Sequence, residues 1–321
     1  MDRQRDPLSD VLIMANVGAA YASRFEATGR WALRFPAYRH VKVGAVVSGA
    51  CLLAPDGAPP VRLSRGDCYL LAGGRPYQAG SGPGLAPDDG AEVYRQARDP
   101  RNVRYGGAGL EAAGEPAVLV GGSITLDEVT AALLLEHLPP VVRVPAGGPQ
   151  ARVLRPLLDV LGAETTAAAP GGEATVRRLT EIMFIQVLRA HLAESEGLPG
   201  WIGALGDPQI GAALALMHRQ ATRRWTVAGL AAAVGMSRSS FAQRFKELVG
   251  TTPLDYLMQW RIKSAARALR SGDRTVASVA AEWGYGSESA FSNAFKRVTG
   301  LPPARYRTAE PVPPAGPPLT G

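Results

Sequence analysis

Residues 226–256 read TVAGLAAAVGMSRSSFAQRFKELVGTTPLDY, and the same pattern returns once as residues 275–306, TVASVAAEWGYGSESAFSNAFKRVTGLPPARY. The copies are 49 residues apart up to the central glycine and 50 apart after it, so the second turn is one residue longer. Each copy has small residues, a glycine, two phenylalanines four apart, and then lysine, glycine, proline and tyrosine. This order is typical of a helix-turn-helix unit. Two such units predict a chain that reads two successive major grooves of DNA.

In the first unit, the helix after the turn is predicted to have one apolar and one polar face. Gly235 suits the turn, and Ser237 is placed to cap the helix that follows it. At helical spacing the residues that point to the core are Phe241, Phe245 and Leu248. The opposite face suits hydrogen bonds with base edges and phosphates, and it carries Arg238, Ser239, Ala242, Gln243 and Lys246.

The second unit repeats this division. Gly284 and Gly286 form the turn, and Ser287 caps a helix that runs to about Thr299. The inward residues are Phe291, Phe295 and Val298. The outward residues include an asparagine suited to adenine and a glutamate suited to cytosine, and they are Glu288, Ser289, Ser292, Asn293 and Lys296.

Two further helices are predicted around the units. Residues 253–269 have the apolar spacing of one long helix, which would act as a spacer holding the reading helices about 34 Å apart, one turn of DNA. The other helix is predicted to begin at Asp207 and Pro208, since aspartate can cap a helix and proline suits its first turn.

Positive charge is concentrated in this part of the chain. Residues 210–307 contain 15 Lys and Arg against 5 Asp and Glu, a net charge of +10, whereas the remaining residues carry a net charge of −3. This division favours contact with a polyanion by the second part only.

The first part of the chain, from about residue 6 to residue 144, has the pattern of a β domain. Short β-rich runs at 41–47, 51–53, 61–63, 68–71, 117–122 and 123–126 are separated by turn residues, and residues 79–90 are predicted to be a loop. Many short strands with Gly and Pro turns indicate a sandwich or a small barrel.

Helical periodicity follows, in residues 153–161 and 176–192, with a linker predicted at 162–172 and a connector at 198–206. The second helix has an apolar face wide enough for two surfaces. It can therefore contact a second subunit or pack on its own domain.

The predicted fold class is α+β multidomain, with an N-terminal β-barrel followed by helices and a C-terminal all-α domain with two helix-turn-helix units. The predicted boundaries are 1–150 for the sensor, 151–206 for a helical dimerisation and connector segment, 207–307 for the DNA-binding domain and 308–321 for a disordered tail.

Residues 207–307 resemble the DNA-binding domain of the AraC/XylS family of bacterial transcriptional regulators. The resemblance is carried by residues 280–285, AAEWGY, and by the spacing of Ser289, Phe291, Phe295, Gly300 and Tyr306. It implies that two recognition helices enter adjacent major grooves. The matching positions in this chain are Arg238, Ser239, Ala242 and Gln243, and Glu288, Ser289, Ser292 and Asn293.

Residues 29–36, GRWALRFP, together with Gly66, Asp67 and residues 74–76, resemble a cupin-type sensor. The resemblance implies a barrel that holds a ligand, with Trp31, Leu33 and Tyr69 lining its interior. Metal-binding cupins present several histidines and a glutamate, but this chain has His40 alone in the candidate strands and Tyr77 at a position where cupins often have histidine. No metal site and no cofactor are therefore predicted.

Cys51 and Cys68 both lie in predicted strands. They are a candidate redox pair, although a buried free cysteine that behaves as a small hydrophobe is the commoner case. Two cysteines make no disulfide framework, which favours a reducing compartment.

Together these features predict a cytoplasmic transcription regulator of the AraC type, a homodimer that binds operator DNA, contacts RNA polymerase, acts as an activator and responds to a small molecule or an oxidant. The N-terminus is charged and lacks the apolar run of a signal peptide, so export is not predicted. No apolar run is long enough to predict a membrane span. The enzyme alternative is a cupin-type metalloenzyme fused to a DNA-binding module. A DNA-repair regulator with a nucleophilic cysteine is the other alternative, and neither cysteine lies near a basic helix or a histidine motif.

Overall fold

The computed structural model describes residues 6–15, 17–38, 41–106, 115–126, 131, 134–135, 138–167, 169–194, 200–270 and 274–308. The elements in chain order are α1 (Pro7–Met14), β1 (Gly18–Thr28), β2 (Ala32–Phe35), β3 (Val41–Ser48), β4 (Ala50–Pro55), β5 (Val61–Ser64), β6 (Cys68–Leu71), β7 (Tyr77–Gly80), β8 (Asp88–Asp89), α2 (Gly90–Gln96), β9 (Asn102–Gly106), β10 (Ala117–Thr125), β11 (Val141–Val144), α3 (Ala151–Thr166), α4 (Gly172–Glu194), α5 (Gly200–Ala204), α6 (Pro208–Arg219), α7 (Val227–Ala233), α8 (Arg238–Val249), α9 (Pro253–Arg270), α10 (Val276–Glu282), α11 (Glu288–Thr299) and α12 (Pro303–Thr308).

These residues form two compact units. Described residues of 17–126 and 138–194 make one unit, which we call the β unit. Described residues of 6–15, 127–137 and 200–308 make the other, which we call the helical unit. No described helix is long and apolar enough to cross a membrane.

The β unit contains two sheets. One has the strand order β11-β6-β3-β10-β1-β9 and the other β5-β4-β7-β2-β8, and most neighbours are antiparallel. Among the described residues no strand of one sheet pairs with the other, so the cupin-like architecture is an open sandwich and not a closed barrel. The strands predicted at 41–47, 51–53, 61–63 and 68–71 are confirmed as β3, β4, β5 and β6.

Three local predictions in the β unit are wrong. Residues 117–122 and 123–126 form the single strand β10, because Gly121 lies against the neighbouring strand instead of forming a turn. A Cβ at Gly121 would come within 2.3 Å of the Val43 carbonyl oxygen. The predicted loop 79–90 contains the end of β7 and all of β8. The predicted linker 162–172 is helical to Thr166, since the Thr165 and Thr166 hydroxyls donate to carbonyls of the preceding turn.

Aromatic and aliphatic side chains fill the space between the two sheets. Phe25, Trp31, Leu33 and Tyr77 are among the buried residues of this core. Trp31 packs on Phe25 with ring centroids 5.2 Å apart. Helix α4 packs on the other face of the six-stranded sheet, and its residue Phe184 is fully buried. Helix α3 packs on α4. The wide apolar face of α4 is therefore used within its own domain.

The helical unit includes the N-terminal helix α1, in a segment where the sequence predicted β structure. This prediction is wrong because Asp6 caps the helix, accepting from the Ser9 amide, and Pro7 occupies its first turn. Val11 and Ala15 are fully buried, and Arg267 of α9 donates to the Ile13 carbonyl at 2.7 Å. Helix α1 packs on α6.

The remaining helices of this unit follow the predictions closely. Asp207 caps α6, and Pro208 is its first residue. The predicted spacer is α9, which extends one residue beyond Leu269. The predicted connector at 198–206 contains the short helix α5, which packs on α8 and has Trp201 and Ala204 buried. The disordered tail was predicted to begin at Thr308, but Thr308 is the last residue of α12. The rest of the predicted tail, residues 309–321, lies outside the described residues.

Candidate nucleic-acid interface

Helices α8 and α11 are built alike, and we call them the reading helices. Each has 12 residues and a serine cap, Ser237 or Ser287, whose hydroxyl accepts from the amide three residues on. Each ends at a glycine in the left-handed conformation, Gly250 with φ 83° and Gly300 with φ 78°. The two helices therefore begin and end at equivalent positions of the repeat.

The same core motif supports both reading helices. The rings of Phe241 and Phe245 lie 5.6 Å apart at an interplanar angle of 54°, and those of Phe291 and Phe295 lie 5.4 Å apart at 54°. All four are fully buried. Tyr256 and Tyr306 make equivalent edge contacts with the second phenylalanine of each pair. Leu248 and Val298, predicted to face the core, are half-buried.

Ten side chains predicted to face DNA lie on the opposite faces of the reading helices. Ala242 and Ser292 are half-buried at matching positions, and the others are exposed: Arg238, Ser239, Gln243, Lys246, Glu288, Ser289, Asn293 and Lys296. Ser239 and Ser289 make matching hydroxyl contacts with the capping serines, at 3.2 and 3.1 Å. Both helices thus present a polar and basic strip to solvent.

Asp207 and Arg244 link the start of α6 to the first reading helix, a contact that the sequence analysis did not predict. The Arg244 guanidinium donates to the Asp207 carboxylate, with Nε at 2.7 Å and Nη2 at 2.5 Å from Oδ2. Burial raises the pKa of Asp207, but the Ile210 amide and Arg244 outweigh it and hold that pKa below its usual range. Arg244 is therefore committed to orienting α8. No local pattern could have revealed this long-range contact.

Arg261 holds the segment between α6 and α7 in place through hydrogen bonds to its backbone. Its guanidinium donates to the Ala221 carbonyl at 2.5 Å and to the Arg223 carbonyl at 2.6 Å. The Arg223 guanidinium in turn lies over the Trp225 ring, 4.1 Å from its centroid. These contacts hold the chain at the entrance to the first helix-turn-helix unit.

A neutral histidine joins α6 to α9. The His218 ring stacks on Trp260 with centroids 3.5 Å apart, and its Nε2 shares a hydrogen bond of 2.8 Å with the Tyr256 hydroxyl. Burial, with a smaller effect of Arg219, lowers the pKa of His218 to about 3. The ring is therefore neutral at physiological pH, although the Asp10 carboxylate lies 3.9 Å from Nδ1.

The two cysteines of the β unit are buried and free. Burial, with a smaller effect of Asp67, raises the pKa of both Cys51 and Cys68 to about 12. Since the thiolate is the reactive form, this environment slows their reaction with oxidants. Their redox role stays a prediction.

No cluster of three His, Cys, Asp or Glu side chains arranged for a metal occurs among the described residues. Tyr77 packs in the core between the sheets. His40 and His137 lie outside the described residues, so the structure does not test them.

A cavity of about 370 Å³ opens at one end of the sandwich. Of Trp31, Leu33 and Tyr69, the residues predicted to line a ligand site, only Trp31 borders this cavity. Its polar lining includes Arg30, Ser81 and Glu115. Leu33 is instead fully buried in the core between the sheets, and Tyr69 packs against that core.

Comparison with known proteins matches both units. A cupin family model matches residues 6–193, and a helix-turn-helix domain model matches residues 230–309. An AraC-like transcription regulator of Streptomyces lividans is 43% identical over 304 residues, covering 94% of this chain and 98% of that protein. One from Streptomyces antibioticus is 41% identical with the same coverage.

A solved structure also resembles the C-terminal part. The DNA-binding domain of AdpA, a global transcriptional factor solved with a target DNA, is 34% identical, covers 32% of this chain and 92% of its own, and has a TM-score of 0.30. The cupin model spans more than half of the sequence, and the Streptomyces relatives match it almost from end to end. The chain therefore belongs to the family of AraC-like transcription regulators that join an N-terminal cupin domain to a C-terminal helix-turn-helix domain.

Proposed function

We propose that this regulator binds operator DNA by placing α8 and α11 in adjacent major grooves. The observation that carries the proposal is the duplicated unit, in which ten matched positions lie away from equivalent cores on two helices, eight of them exposed and two half-buried. The basic excess of the same region supports it, since phosphate contacts supply much of the affinity for DNA. The DNA-binding domain would comprise residues 207–307.

The side chains on the two strips divide into two roles. Gln243 and Asn293 have amides that can pair with adenine, and Glu288 can accept from cytosine. Lys246 and Lys296 lie one turn before the C-terminal ends of their helices and suit phosphate contacts. The remaining members of the strips are Arg238, Ser239, Ala242, Ser289 and Ser292.

The β unit would act as the sensor. Residues 1–150, apart from α1 in the helical unit, would form the cupin-like domain, with α3 and α4 in the segment 151–206. Val153 and Val160 are one heptad apart on α3 and are 53% and 47% exposed. This apolar stripe supports a homodimer contact, because exposed valines one heptad apart suit helix pairing. We also propose that this protein is an activator, that it acts in the cytoplasm and that it contacts RNA polymerase. The proposal includes no catalytic step.

The signal is a small molecule or an oxidant. Burial of Cys51 and Cys68 favours the small molecule, since neither thiol is readily ionised. The cupin metalloenzyme remains the alternative, and the metal content of the purified protein tests it, because that chemistry needs a bound metal.

The decisive experiment is footprinting of the purified full-length chain on genomic DNA, followed by mobility shifts on the recovered sites. We expect protected sites with two short conserved elements one DNA turn apart. Protection without any shared sequence, or with one element only, would contradict the two-groove proposal.

A further inference from the structure

Lys42 occupies an unusual position inside the sandwich. It lies on β3 directly opposite Leu71 of β6, a fully buried member of the core between the sheets. Because directly paired residues share a face of the sheet, Lys42 points toward the interior. Its Nζ lies over three aromatic rings, 5.5 Å from the centroid of Tyr38, 5.9 Å from Tyr77 and 6.0 Å from Phe35. We call these three rings the Lys42 cage.

Among the described residues, no carboxylate lies within ion-pair distance of the Lys42 ammonium, and the ring faces are its recorded contacts. Burying a charged amine without a partner is costly, and cation–π contacts offset only part of that cost. Burial accordingly lowers the pKa of Lys42 to about 8. A considerable fraction of the amine is therefore neutral near physiological pH.

The choice of lysine is itself informative. The chain has 4 lysines, namely Lys42, Lys246, Lys263 and Lys296, among 35 basic residues. Arginine is the commoner partner of aromatic rings, and this chain uses arginine almost everywhere else. An amine differs from a guanidinium in one chemical respect that matters inside a protein, since it can lose its proton and become a nucleophile.

We propose that Lys42 is a covalent binding site for small apolar aldehydes, which condense with its amine to form an imine. The lone pair of the neutral Nζ attacks the carbonyl carbon, and the carbonyl oxygen takes up protons and leaves as water while the C=N bond forms. Overall, one ammonium and one aldehyde give one protonated imine and one water. Neither oxidant nor reductant is needed.

The cage suits this product better than it suits a bound anion. The protonated imine carries the same positive charge as the ammonium, so the three ring faces that hold the reactant also hold the product. An anionic ligand would place its charge against the negative faces of the same rings. The rings also supply apolar surface for the body of the aldehyde.

Two hydroxyl groups lie on neighbouring positions of the same inner face. Ser123 is directly opposite Lys42 on β10. Gly44 is the next inner-face position of β3, and a Cβ there would lie 2.5 Å from the Tyr69 hydroxyl oxygen, so only glycine leaves room for that phenol. Burial raises the pKa of Tyr69, so the phenol stays protonated beside Gly44. Lys42 and Tyr69 are both half-buried, so neither side chain is fully sealed from solvent.

Reductive trapping tests the proposal directly. The full-length protein is incubated at pH 7 with benzaldehyde and cyanoborohydride, which reduces the imine to a stable benzylamine, and labelled peptides are quantified by mass spectrometry. Lys246 and Lys296, both exposed, are internal controls. We expect Lys42 to be labelled at least about tenfold faster than either of them, because a larger fraction of its amine is neutral. Equal or slower labelling of Lys42 would overturn the proposal.

Two controls separate chemistry from folding and from simple anion binding. Lys42→Arg keeps the cation over the rings and should retain the near-UV circular dichroism and melting temperature of the wild type, yet give no label at position 42. Benzoate, which resembles the probe but is anionic and not electrophilic, should leave the labelling rate unchanged. Strong protection by benzoate would identify an anion site and contradict the aldehyde assignment.

A role for the modification as a regulatory signal rests on the proposed function, whereas the labelling does not involve DNA. We expect labelling to change operator affinity at least fivefold in the wild type and not in Lys42→Arg. If neither preparation binds any genomic site, the proposed function fails while the Lys42 result stands by itself.

Discussion

Gln243 donates a hydrogen bond from its side-chain Nε2 to the Glu247 carboxylate at 2.9 Å, one turn further along α8. At the matching place in α11, Asn293 is followed by Arg297, whose guanidinium contacts the Met258 sulfur at 3.7 Å. The two reading helices therefore share a scaffold but differ in charge beside their central amides. The first presents an amide held by a carboxylate, and the second an amide beside a cation.

The first prediction concerns base recognition. Gln243→Ala and Asn293→Ala should each relax base preference in a separate half-site, at a cost of about 1–3 kcal/mol in binding free energy, because each removes one amide that can pair with a base. Binding to a randomised operator library, followed by sequencing, measures this. Loss of preference in the same half-site by both variants would contradict the two-groove arrangement. Glu247→Gln is the matched control, because it changes the carboxylate that accepts the Gln243 hydrogen bond and keeps the Gln243 amide.

The second prediction concerns the cores beneath the strips. Phe245→Ala and Phe295→Ala should each destabilise the helical unit by about 3–5 kcal/mol, since both rings are fully buried. Gln243→Ala and Asn293→Ala, which change exposed side chains, are the controls and should leave the melting temperature nearly unchanged. Equal losses of melting temperature in all four variants would show that the faces are assigned wrongly.

The third prediction concerns salt. The fragment of residues 207–307 should bind the operator alone, and its affinity should fall steeply as salt rises, because its phosphate contacts release counterions. Replacing Lys246 or Lys296 by Ala should reduce the slope of log affinity against log salt by about one. Fluorescence anisotropy over a salt series checks both statements. An affinity independent of salt would argue against phosphate contacts by these lysines.

The fourth prediction concerns acid. The pKa of His218 is lowered to about 3 in the folded chain from an ordinary value of 6.5, so the unfolded state binds the proton more readily. The free energy of unfolding therefore does not depend on the protonation of His218 above pH 6.5, and it decreases as the pH falls from 6.5 toward 3. Urea unfolding at pH 7.5 and pH 5 should show a clear loss of stability at the lower pH. His218→Phe keeps a ring against Trp260 and should lose part of this pH dependence. An unchanged dependence in that variant would rule out His218 as its source.

The fifth prediction concerns the thiols. Native full-length protein should react slowly with Ellman's reagent at pH 8, because burial raises the pKa of Cys51 and Cys68 to about 12, and denatured protein should react at once. If operator binding nevertheless responds to mild oxidant, Cys51→Ser and Cys68→Ser should each abolish the response, since a disulfide needs two thiols. A response that survives in either variant would exclude a disulfide between them.

The sequence alone determined the two reading helices and the spacer α9 almost to the residue. The caps Ser237 and Ser287 and the glycines that end the reading helices act within one turn of the chain, and the paired phenylalanines repeat at i and i+4. Such signals are local, so they can be read without knowing the fold. The internal repeat then provided a second, independent copy of the same pattern.

Only the tertiary structure decided what depends on residues far apart in the chain. Gly121 lies within a strand because it touches β3, and α1 is a helix whose buried face packs on α6, more than 190 residues away. Arg244 meets Asp207, and three rings from two separate segments lie around Lys42. A pattern along the chain reports which residues are apolar or charged, but contacts made by folding decide which of them meet, and these contacts set the environment that gives Lys42 its chemistry.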